Sequence, residues 1–347
     1  MKMNINKSNQ VVRDMKECFK SLQLPMRKGQ TSDAYTFSWD LVSEICNENV
    51  SAILTVKYDR YRKVISINIS FDQDVPPGMV TEVLKLLNLL NGTVSYYRYI
   101  IGTCSNKISA LTGLYVSEGR LSKDKFMRLI CDFLEDTYSI CPLIMQLLRE
   151  GGNPEEIYDR YMDGQIDGYR DLMSIDADYM TSMENKHTTE MDGNILDDIK
   201  SVFADFDITA NDDDRVDDGF IIDLVHPKDQ DLYVRFCTIL DSENQVVSIY
   251  IAPFFAVPDN RFDVMMELVN SINRVCNTGH MFITRDNKHV WLWTEIMLDN
   301  GVIDKKELKN AFRTLLDNGC RLFPIIKEQL TFNESPDASM CRPLPCY

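Results

Sequence analysis

The histidines are the first residues to consider for metal binding or catalysis. They show no HExxH spacing and no close pairing, and they are His187, His226, His280 and His289. His280 and His289 are predicted on neighbouring strands, where their rings could approach each other, but no third ligand accompanies them. A metal site built on histidine is therefore not predicted.

Motifs of the common enzyme classes are missing from the sequence. It has no GxSxG nucleophile elbow, no Walker loop and no GxGxxG, and no cysteine stands beside a histidine. A catalytic triad assembled only in space stays open, because its members need not be neighbours in sequence. We predict a non-enzymatic protein with no catalytic residues, no cofactor and no metal.

An acidic run at 205–219, DFDITANDDDRVDDG, has the composition of a calcium-binding loop. An EF-hand loop needs glycine at its sixth position and glutamate at its twelfth. Counted from Asp205, those positions hold Ala210 and Val216. The run is therefore predicted to be a solvated loop between a helix and a strand.

The ten cysteines indicate a reducing compartment, because they are scattered from Cys18 to Cys346 and form no CxxC pair. Cys341 and Cys346 lie in a Pro-rich tail, where plain thiols are expected and a paired or metal-bound use is the alternative. The start of the sequence lacks the apolar segment of a secretory signal, and no run approaches membrane-spanning length. We expect a cytoplasmic protein that does not bind membranes.

Negative charge is concentrated in one part of the chain. The formal net charge is −16, and the segment 151–218 holds 20 Asp and Glu against 5 Lys and Arg. A protein with this charge balance is not suited to binding nucleic acid through phosphate contacts. The acidity belongs to a connector rather than to the folded parts of the chain.

Aromatic side chains on two predicted strands form the candidate binding surface. Alternation along a strand turns every second residue to the opposite face of the sheet. The residues predicted to share the face opposite the apolar core are Tyr250, His289, Trp291, Trp293 and Glu295. If helices cover only the other face, these side chains meet a protein partner, and the alternatives are the other domain, a second copy or the acidic connector.

The elements that would position these residues occur twice. The stretch VVSIYIAPFFAVPDNRFDVMMELVNSINR, at 246–274, answers VISINISFDQDVPPGMVTEVLKLLNLLNG, at 64–92, after 182 positions and without a gap. Identical residues at this offset are Pro76 with Pro258, Asn88 with Asn270, Asn91 with Asn273, Gly119 with Gly301 and Pro142 with Pro324. A duplicated domain explains this pattern better than chance does.

Hydrophobic periodicity predicts the order αβββαββα in each repeat. Three amphipathic helices and five strands can close a core alone, so the fold class is α+β: two tandem domains, each an antiparallel sheet with helices mainly on one face. The predicted boundaries are 1–150 for the first domain, 151–192 for the acidic connector, 193–332 for the second domain and 333–347 for a flexible tail. The connector is expected to open with a short helix.

Several matched residues have structural explanations. Ser122 and Asp304 are predicted helix N-caps, Pro142 is predicted to begin a separate short helix, and Gly301 is predicted in a turn with positive φ, like Gly119. Asn91 and Asn273 each fall eleven residues after the first apolar position of their helix, which returns them to the apolar face. We predict that they satisfy backbone groups near the helix end, with ligand recognition as the alternative.

The second repeat resembles the YbjN domain family of bacteria. The resemblance rests on a strand that ends before Val-Pro, a helix that closes on Asn270 and Asn273, an Asp286 turn in the strand pair after Gly279, and a late Pro324. The first repeat matches more loosely. The resemblance implies bacterial sensory-transduction regulators with a fold similar to type III secretion chaperones, which bind proteins and are not enzymes. No catalytic or cofactor residue comes with it.

Two hypotheses for function follow from the sequence. The first is a non-enzymatic protein-interaction or chaperone-like regulator in bacterial signalling or stress regulation, which binds a protein partner or itself through Tyr250, His289, Trp291 and Trp293. The duplication also permits an intramolecular pseudo-dimer. The second hypothesis is a small-ligand or metal sensor that uses the inter-domain groove or the acidic connector.

Overall fold

A computed structural model describes most of the chain and divides it into two compact units. The described residues are 2–22, 27–31, 34–45, 48–93, 96–102, 105–116, 120–164, 195–208, 215–216, 218–225, 233–242, 245–253, 255–276, 279–299 and 301–331. Unit 1 comprises Met1–Leu86 and Tyr99–Glu190, and unit 2 comprises Leu87–Arg98 and Met191–Tyr347.

Some of the predictions concern residues outside these ranges. They are the acidic connector beyond residue 164, residues 209–214 and 217 of the acidic run, the tail with Cys341 and Cys346, and the positions Gly119, His187 and His226.

Unit 1 is built on a six-stranded antiparallel sheet. Its strands are β1 (Arg27–Thr31), β2 (Ala34–Ile45), β3 (Glu48–Asp59), β4 (Val64–Asp74), β5 (Tyr97–Ile101) and β6 (Lys107–Tyr115), in the spatial order β1-β2-β3-β4-β6-β5. The helices are α1 (Lys2–Ser21), α2 (Val80–Asn91), α3 (Lys123–Ser139), α4 (Cys141–Glu150) and α5 (Pro154–Met162). The segment Leu87–Arg98, which runs from the last part of α2 to the start of β5, belongs to unit 2.

Alternation along β4 decides which face of this sheet is buried. Ile65, Ile67 and Ile69 are fully buried, whereas the residues between them are half-exposed serine and asparagine. Helices α1 and α3 pack together through the edge-to-face rings of Phe19 and Phe126, whose centroids are 5.6 Å apart. The apolar stripes of the helices thus supply the core.

Unit 2 has a second six-stranded antiparallel sheet. Its strands are β7 (Arg215–Val216), β8 (Gly219–Val225), β9 (Tyr233–Asp241), β10 (Val246–Pro253), β11 (His280–Ile283) and β12 (Val290–Met297), in the order β11-β12-β10-β9-β8-β7. The helices are α6 (Ile195–Ala204), α7 (Phe262–Val275) and α8 (Lys305–Thr331).

Phenylalanine rings form the centre of the unit 2 core. Phe312 of α8 lies with its ring centroid 5.2 Å from that of Phe203 on α6 and 4.6 Å from that of Phe236 on β9. Both helices therefore cover the face of the sheet that carries Phe236. The α+β class and the antiparallel sheets are confirmed, and the two sheets fit the two predicted tandem domains.

Helix boundaries follow the sequence signals with one difference between the repeats. Ser122 caps α3 by accepting from the Lys125 N–H, and α4 begins as a separate helix with Pro142 in its first turn, as predicted. Pro324 occupies the matching position in the second repeat but lies inside the continuous helix α8. Gly301 has a φ of 76°, which confirms its predicted left-handed turn.

Two strands were not predicted. The two-residue strand β7 lies in the acidic run that was predicted to be a loop, and it pairs with β8. The stretch LPMRKGQTSD, at 24–33, is predicted only to break the first helix, yet β1 pairs with β2 over Arg27–Thr31. The sequence RKGQT has no apolar alternation, and the strand is defined by its backbone pairing with β2. Periodicity cannot detect a strand of this kind.

Replacing Asp304 with alanine is expected to lower the free energy of unfolding by about 1 kcal/mol. Its Oδ1 atom accepts from the N–H groups of Lys306, at 2.8 Å, and Glu307, at 3.3 Å, at the start of α8. Urea denaturation of the purified chain measures the loss. Asp304→Asn keeps an accepting oxygen and should lose less, so equal losses for the two variants would contradict a capping role.

Candidate functional site

Strand pairing in unit 2 places one continuous row of residues on the sheet face opposite Phe236. Each member is the direct cross-strand partner of the next, so their side chains share a face. In order from β8 to β11 the row is Ile221, Cys237, Tyr250, Trp293 and His280. In the next row towards one end of the strands, Phe282 pairs with Trp291.

The rings of this face touch one another. Tyr250 stacks on Trp293 with centroids 5.0 Å apart and an interplanar angle of 27°, and it meets Trp291 edge-on at 5.6 Å. His280 lies 5.1 Å and Phe282 5.9 Å from the Trp293 ring, between ring centroids. We call these five residues the aromatic face.

Along this face of the sheet, the exposure of the side chains increases from strand β11 towards strand β8. Trp293, towards β11, is only 6% exposed, whereas Ile221 on β8 is 36% and Ile239 on β9 is 42% exposed. Ile239 belongs to this face because its cross-strand partner is Ser248. Ser248 lies two residues before Tyr250 on the same strand, so both side chains are on one face of the sheet. The aromatic face therefore continues into an exposed apolar strip.

Polar groups are interleaved with the rings. The Ser248 hydroxyl donates to Glu295, and Glu295 pairs with Ser248 across the strands. Burial raises the pKa of Tyr250 to about 12, and the Glu295 charge adds to this effect, so the phenol keeps its proton at neutral pH. The indole nitrogens of Trp291 and Trp293 are buried and have no hydrogen-bond partner among the described residues.

Three of the four predicted site residues are brought together, and the fourth is not. Tyr250, Trp291 and Trp293 share the aromatic face, as the alternation predicts. His289 immediately precedes β12 and forms an isolated antiparallel β-bridge with Ala256. Its backbone N–H donates to the Thr284 hydroxyl at 2.9 Å. Whether any of the four contacts a partner stays a prediction.

The two histidines on the predicted neighbouring strands do not approach each other. His280 is the first residue of β11 and pairs with Trp293. The last pair of these two strands is Ile283 with Val290, and His289 directly precedes Val290. The two imidazoles therefore belong to opposite ends of the strand pair. Among the described residues, no group of three His, Cys, Asp or Glu side chains could hold a metal ion.

Three of the described cysteines are weak nucleophiles. Burial raises the thiol pKa of Cys18 and Cys131 to about 12, and it also raises that of Cys237, which shares a sheet face with Tyr250. The thiolate is the nucleophilic form, so burial suppresses reactivity at neutral pH.

No helix in the described part of the chain is both long enough and apolar enough to span a membrane.

A buried polar network lies beside the aromatic face in unit 2. The Asn273 amide donates to Met281 O at 2.8 Å and accepts from Met281 N at 2.6 Å. The Asn88 amide makes the same pair of bonds with Ile283, both at 2.8 Å. Both asparagines thus bind the backbone of β11, the edge strand of the sheet.

Two buried basic groups complete this network. The fully buried Arg98 guanidinium donates from Nε to Asn273 O at 2.5 Å and also donates to Cys276 O. His280 Nε2 lies 2.8 Å from Asn91 O, and because a carbonyl only accepts, Nε2 carries the proton. The sequence signal for this network was the pair of asparagines on apolar helix faces.

Comparison with known proteins identifies a family for part of the chain. Residues 196–328 match the YbjN family, whose description is "Putative bacterial sensory transduction regulator". This confirms the resemblance predicted from the second repeat. No curated protein matches the sequence.

One solved structure is similar to part of the chain. The crystal structure of the ExsC-ExsE complex contains a chain that is 9% identical, with a TM-score of 0.27, and the match covers 38% of this chain and 92% of that one. A likeness at this TM-score supports no conclusion about function.

Proposed function

We propose that this protein is a non-enzymatic protein-interaction or chaperone-like regulator that works in bacterial signalling or stress regulation. The observation that carries the proposal is the aromatic face of unit 2 and its continuation into the exposed Ile221 and Ile239. Its partner is a protein, either foreign or a second copy of this chain. The match of residues 196–328 to a family described as sensory transduction regulators supports a regulatory role.

The composition of the face suits protein binding. Interface centres are enriched in tyrosine and tryptophan, which bring a large contact area at a small cost in side-chain entropy. Tyr250 and Trp291 are half-buried in the described structure, and the exposed isoleucines lie beside them. Burial of apolar area stabilises a complex by roughly 25 cal/mol for each Å².

A polar rim borders this surface. The Arg235 guanidinium donates to both carboxylate oxygens of Asp223, at 2.8 and 2.9 Å, and both residues are exposed on the same face as Tyr250. Fixed charges around an apolar centre orient a partner more than they add affinity. An apolar centre with a charged edge is the usual anatomy of a protein interface.

The first repeat offers a contrast at the same register. The corresponding face of the unit 1 sheet carries Ser66, Asn68, Ser70, Ser109, Leu111 and Tyr115, of which one is aromatic. Ser70 and Ser109 share a hydrogen bond of 3.2 Å. An aromatic face is therefore not required by this sheet topology. The intramolecular pseudo-dimer expected from the duplication stays a prediction.

The double variant Ile221→Ser, Ile239→Ser is expected to lose the partner. Both side chains are exposed, so the fold should tolerate the change, whereas replacement of the buried Trp293 would create a cavity and confound binding with stability. Tagged wild type and variant are used to capture proteins from a lysate of the organism that encodes the chain. Light scattering of the purified proteins detects self-association.

Ile53→Ser is the matched control, because Ile53 is a 48% exposed isoleucine on β3 of the other sheet. It should retain every partner that the wild type retains. Loss of one protein, or of self-association, in the double variant alone supports the proposal. Identical recovery and identical mass for all three proteins would contradict it.

A further inference from the structure

The hairpin between β3 and β4 ends in a basic and aromatic tip. Arg60, Tyr61, Arg62 and Lys63 are all exposed, and Tyr61 is 70% exposed at its apex. We call these four residues the basic tip. With Lys57 and Asp59 beside them, the segment 57–63 carries a net charge of +3 in a chain whose net charge is −16.

The conformation of this hairpin is fixed by Asp59 and by the backbone. Asp59 Oδ1 accepts from the N–H groups of Tyr61, at 2.9 Å, and Arg62, at 3.1 Å. Lys63 has a φ of 54°, and its carbonyl accepts from Val116 N at 2.8 Å. No basic side chain takes part in these hydrogen bonds, and the Arg62 Nε atom lies 3.9 Å from the other Asp59 oxygen, in a partly exposed ion pair.

The second repeat supplies an internal comparison. At the offset of 182 positions, Asp59 corresponds to Asp241 and Lys63 to Gln245, which has a φ of 50° and whose carbonyl accepts from Leu298 N at 2.8 Å. The residues between them are Ser242, Glu243 and Asn244. The same backbone conformation and hydrogen bond at the end of the hairpin therefore occur in the second repeat without basic or aromatic residues at the tip.

The side chains of the basic tip are arranged for binding an anion. The Arg60 guanidinium lies 4.8 Å from the centroid of the Tyr61 ring and donates to the Tyr61 hydroxyl at 2.9 Å. Stacking on an aromatic ring holds the guanidinium in a defined orientation, and its planar fork matches a carboxylate. Within the described part of the chain, Lys63 and Lys57 form no ion pair.

We propose that the basic tip binds an acidic segment of a partner protein. At physiological salt the Debye length is about 8 Å, so a short acidic peptide at the tip interacts with the tip charges alone. A membrane or a nucleic acid presents phosphate groups over tens of ångströms, so most of such a polyanion would lie beyond the screened reach of the four tip residues. Local charge therefore favours a peptide over either extended polyanion.

This surface lies in unit 1 and is additional to the aromatic face of the proposed function. Its test uses the full-length chain and a fluorescein-labelled octaglutamate peptide, followed by fluorescence anisotropy. The variant Arg60→Ser, Tyr61→Glu, Arg62→Asn carries the residue types of the second repeat, so the hairpin should still form. We expect its Kd for the peptide to rise at least about tenfold, a loss of about 1.4 kcal/mol.

Two further variants keep the test decisive. Arg13→Gln, Lys20→Gln removes two exposed positive charges from α1 and should leave the Kd unchanged, which separates local from net charge. Arg60→Gln, Arg62→Gln replaces the triple variant if circular dichroism shows that the latter is misfolded. Wild-type affinity should fall steeply with salt, because the Debye length shortens to about 3 Å at 1 M.

The proposal is overturned by any of several results. They are no binding of octaglutamate by the wild type, equal binding of octaglutamine, or equal affinity of the tip variants and the wild type. Tighter binding of phosphatidylserine vesicles or of oligothymidylate than of the peptide would assign the tip to a lipid or a nucleic acid instead. None of these results depends on Ile221 or Ile239, so the proposed function is tested separately.

Discussion

Replacing Asn273 with alanine is expected to lower the free energy of unfolding by roughly 2 to 6 kcal/mol. The side chain is fully buried, and its amide both donates to and accepts from the backbone of Met281. Alanine leaves the Met281 N–H and C=O without partners where water cannot easily reach them. Each orphaned buried group costs about 1 to 3 kcal/mol, and urea denaturation monitored by tryptophan fluorescence measures the sum.

Two variants on α7 serve as controls for this prediction. Ser271→Ala removes an exposed hydroxyl that donates to Glu267 O, where water can replace it, and should change stability by less than about 0.5 kcal/mol. Asn273→Asp keeps the acceptor for Met281 N–H but turns a carboxylate oxygen towards Met281 O, so it should also destabilise. An Asn273→Ala midpoint equal to that of Ser271→Ala would show that the amide is not structural.

The asparagines illustrate how far the sequence could be interpreted. The position of Asn273 on an apolar helix face correctly predicted that its amide binds backbone groups, and the amide of Asn88 does the same although the prediction named Asn91. The backbone groups that the Asn273 amide binds belong to the strand residue Met281, which the sequence did not identify. Periodicity identifies the buried face of a helix, but it does not identify the segment that packs there, because that depends on long-range pairing.

The result for β11 also explains how this sheet edge is protected. An exposed edge strand offers unpaired N–H and C=O groups to other chains. Asn88 and Asn273 occupy those groups at Ile283 and Met281, as a neighbouring strand would. The edge is closed by side chains, and neither alternation nor turn signals in the sequence could have indicated this.

Long periodic elements were predicted well because local pattern and burial agree in them. Alternation in β4, β10 and β12 and the apolar stripes of α2, α3 and α7 fix both the type and the buried face of each element. The strand β1 lacks such a pattern, and Pro324 lies within α8 although the same residue type begins α4 in the first repeat. Tertiary packing decides these cases.

The sequence predicted the central aromatic residues of the candidate site, but it did not predict how far the site extends across the sheet. Alternation correctly grouped Tyr250 with Trp291 and Trp293. The members that it missed were His280, Phe282, Cys237, Ile221 and Ile239. Their place on the face depends on the register of five strands, which the sequence does not show, and β11 is too short at four residues for alternation to be informative.

Acid is expected to destabilise unit 2 through His280. The pKa of this imidazole is lowered to about 3, mainly by burial and secondly by the positive charge of Arg98. The hydrogen bond to Asn91 O acts in the opposite direction and raises the pKa. In the unfolded chain the pKa is about 6.5. Between pH 6.5 and pH 3 the unfolded chain therefore binds a proton that the folded chain does not.

The sign of the effect follows from this difference in proton binding. The contribution of His280 to stability is complete above pH 6.5 and is lost as the pH falls, by about 1.4 kcal/mol per pH unit, which is roughly 2 kcal/mol at pH 5. Urea denaturation at pH 7 and pH 5 measures the change. His280→Gln can still donate to Asn91 O and does not titrate, so it should lose about 2 kcal/mol less than the wild type between these pH values. Because both proteins share every other titrating group, an equal loss in the two would mean that His280 already takes up its proton in the folded state.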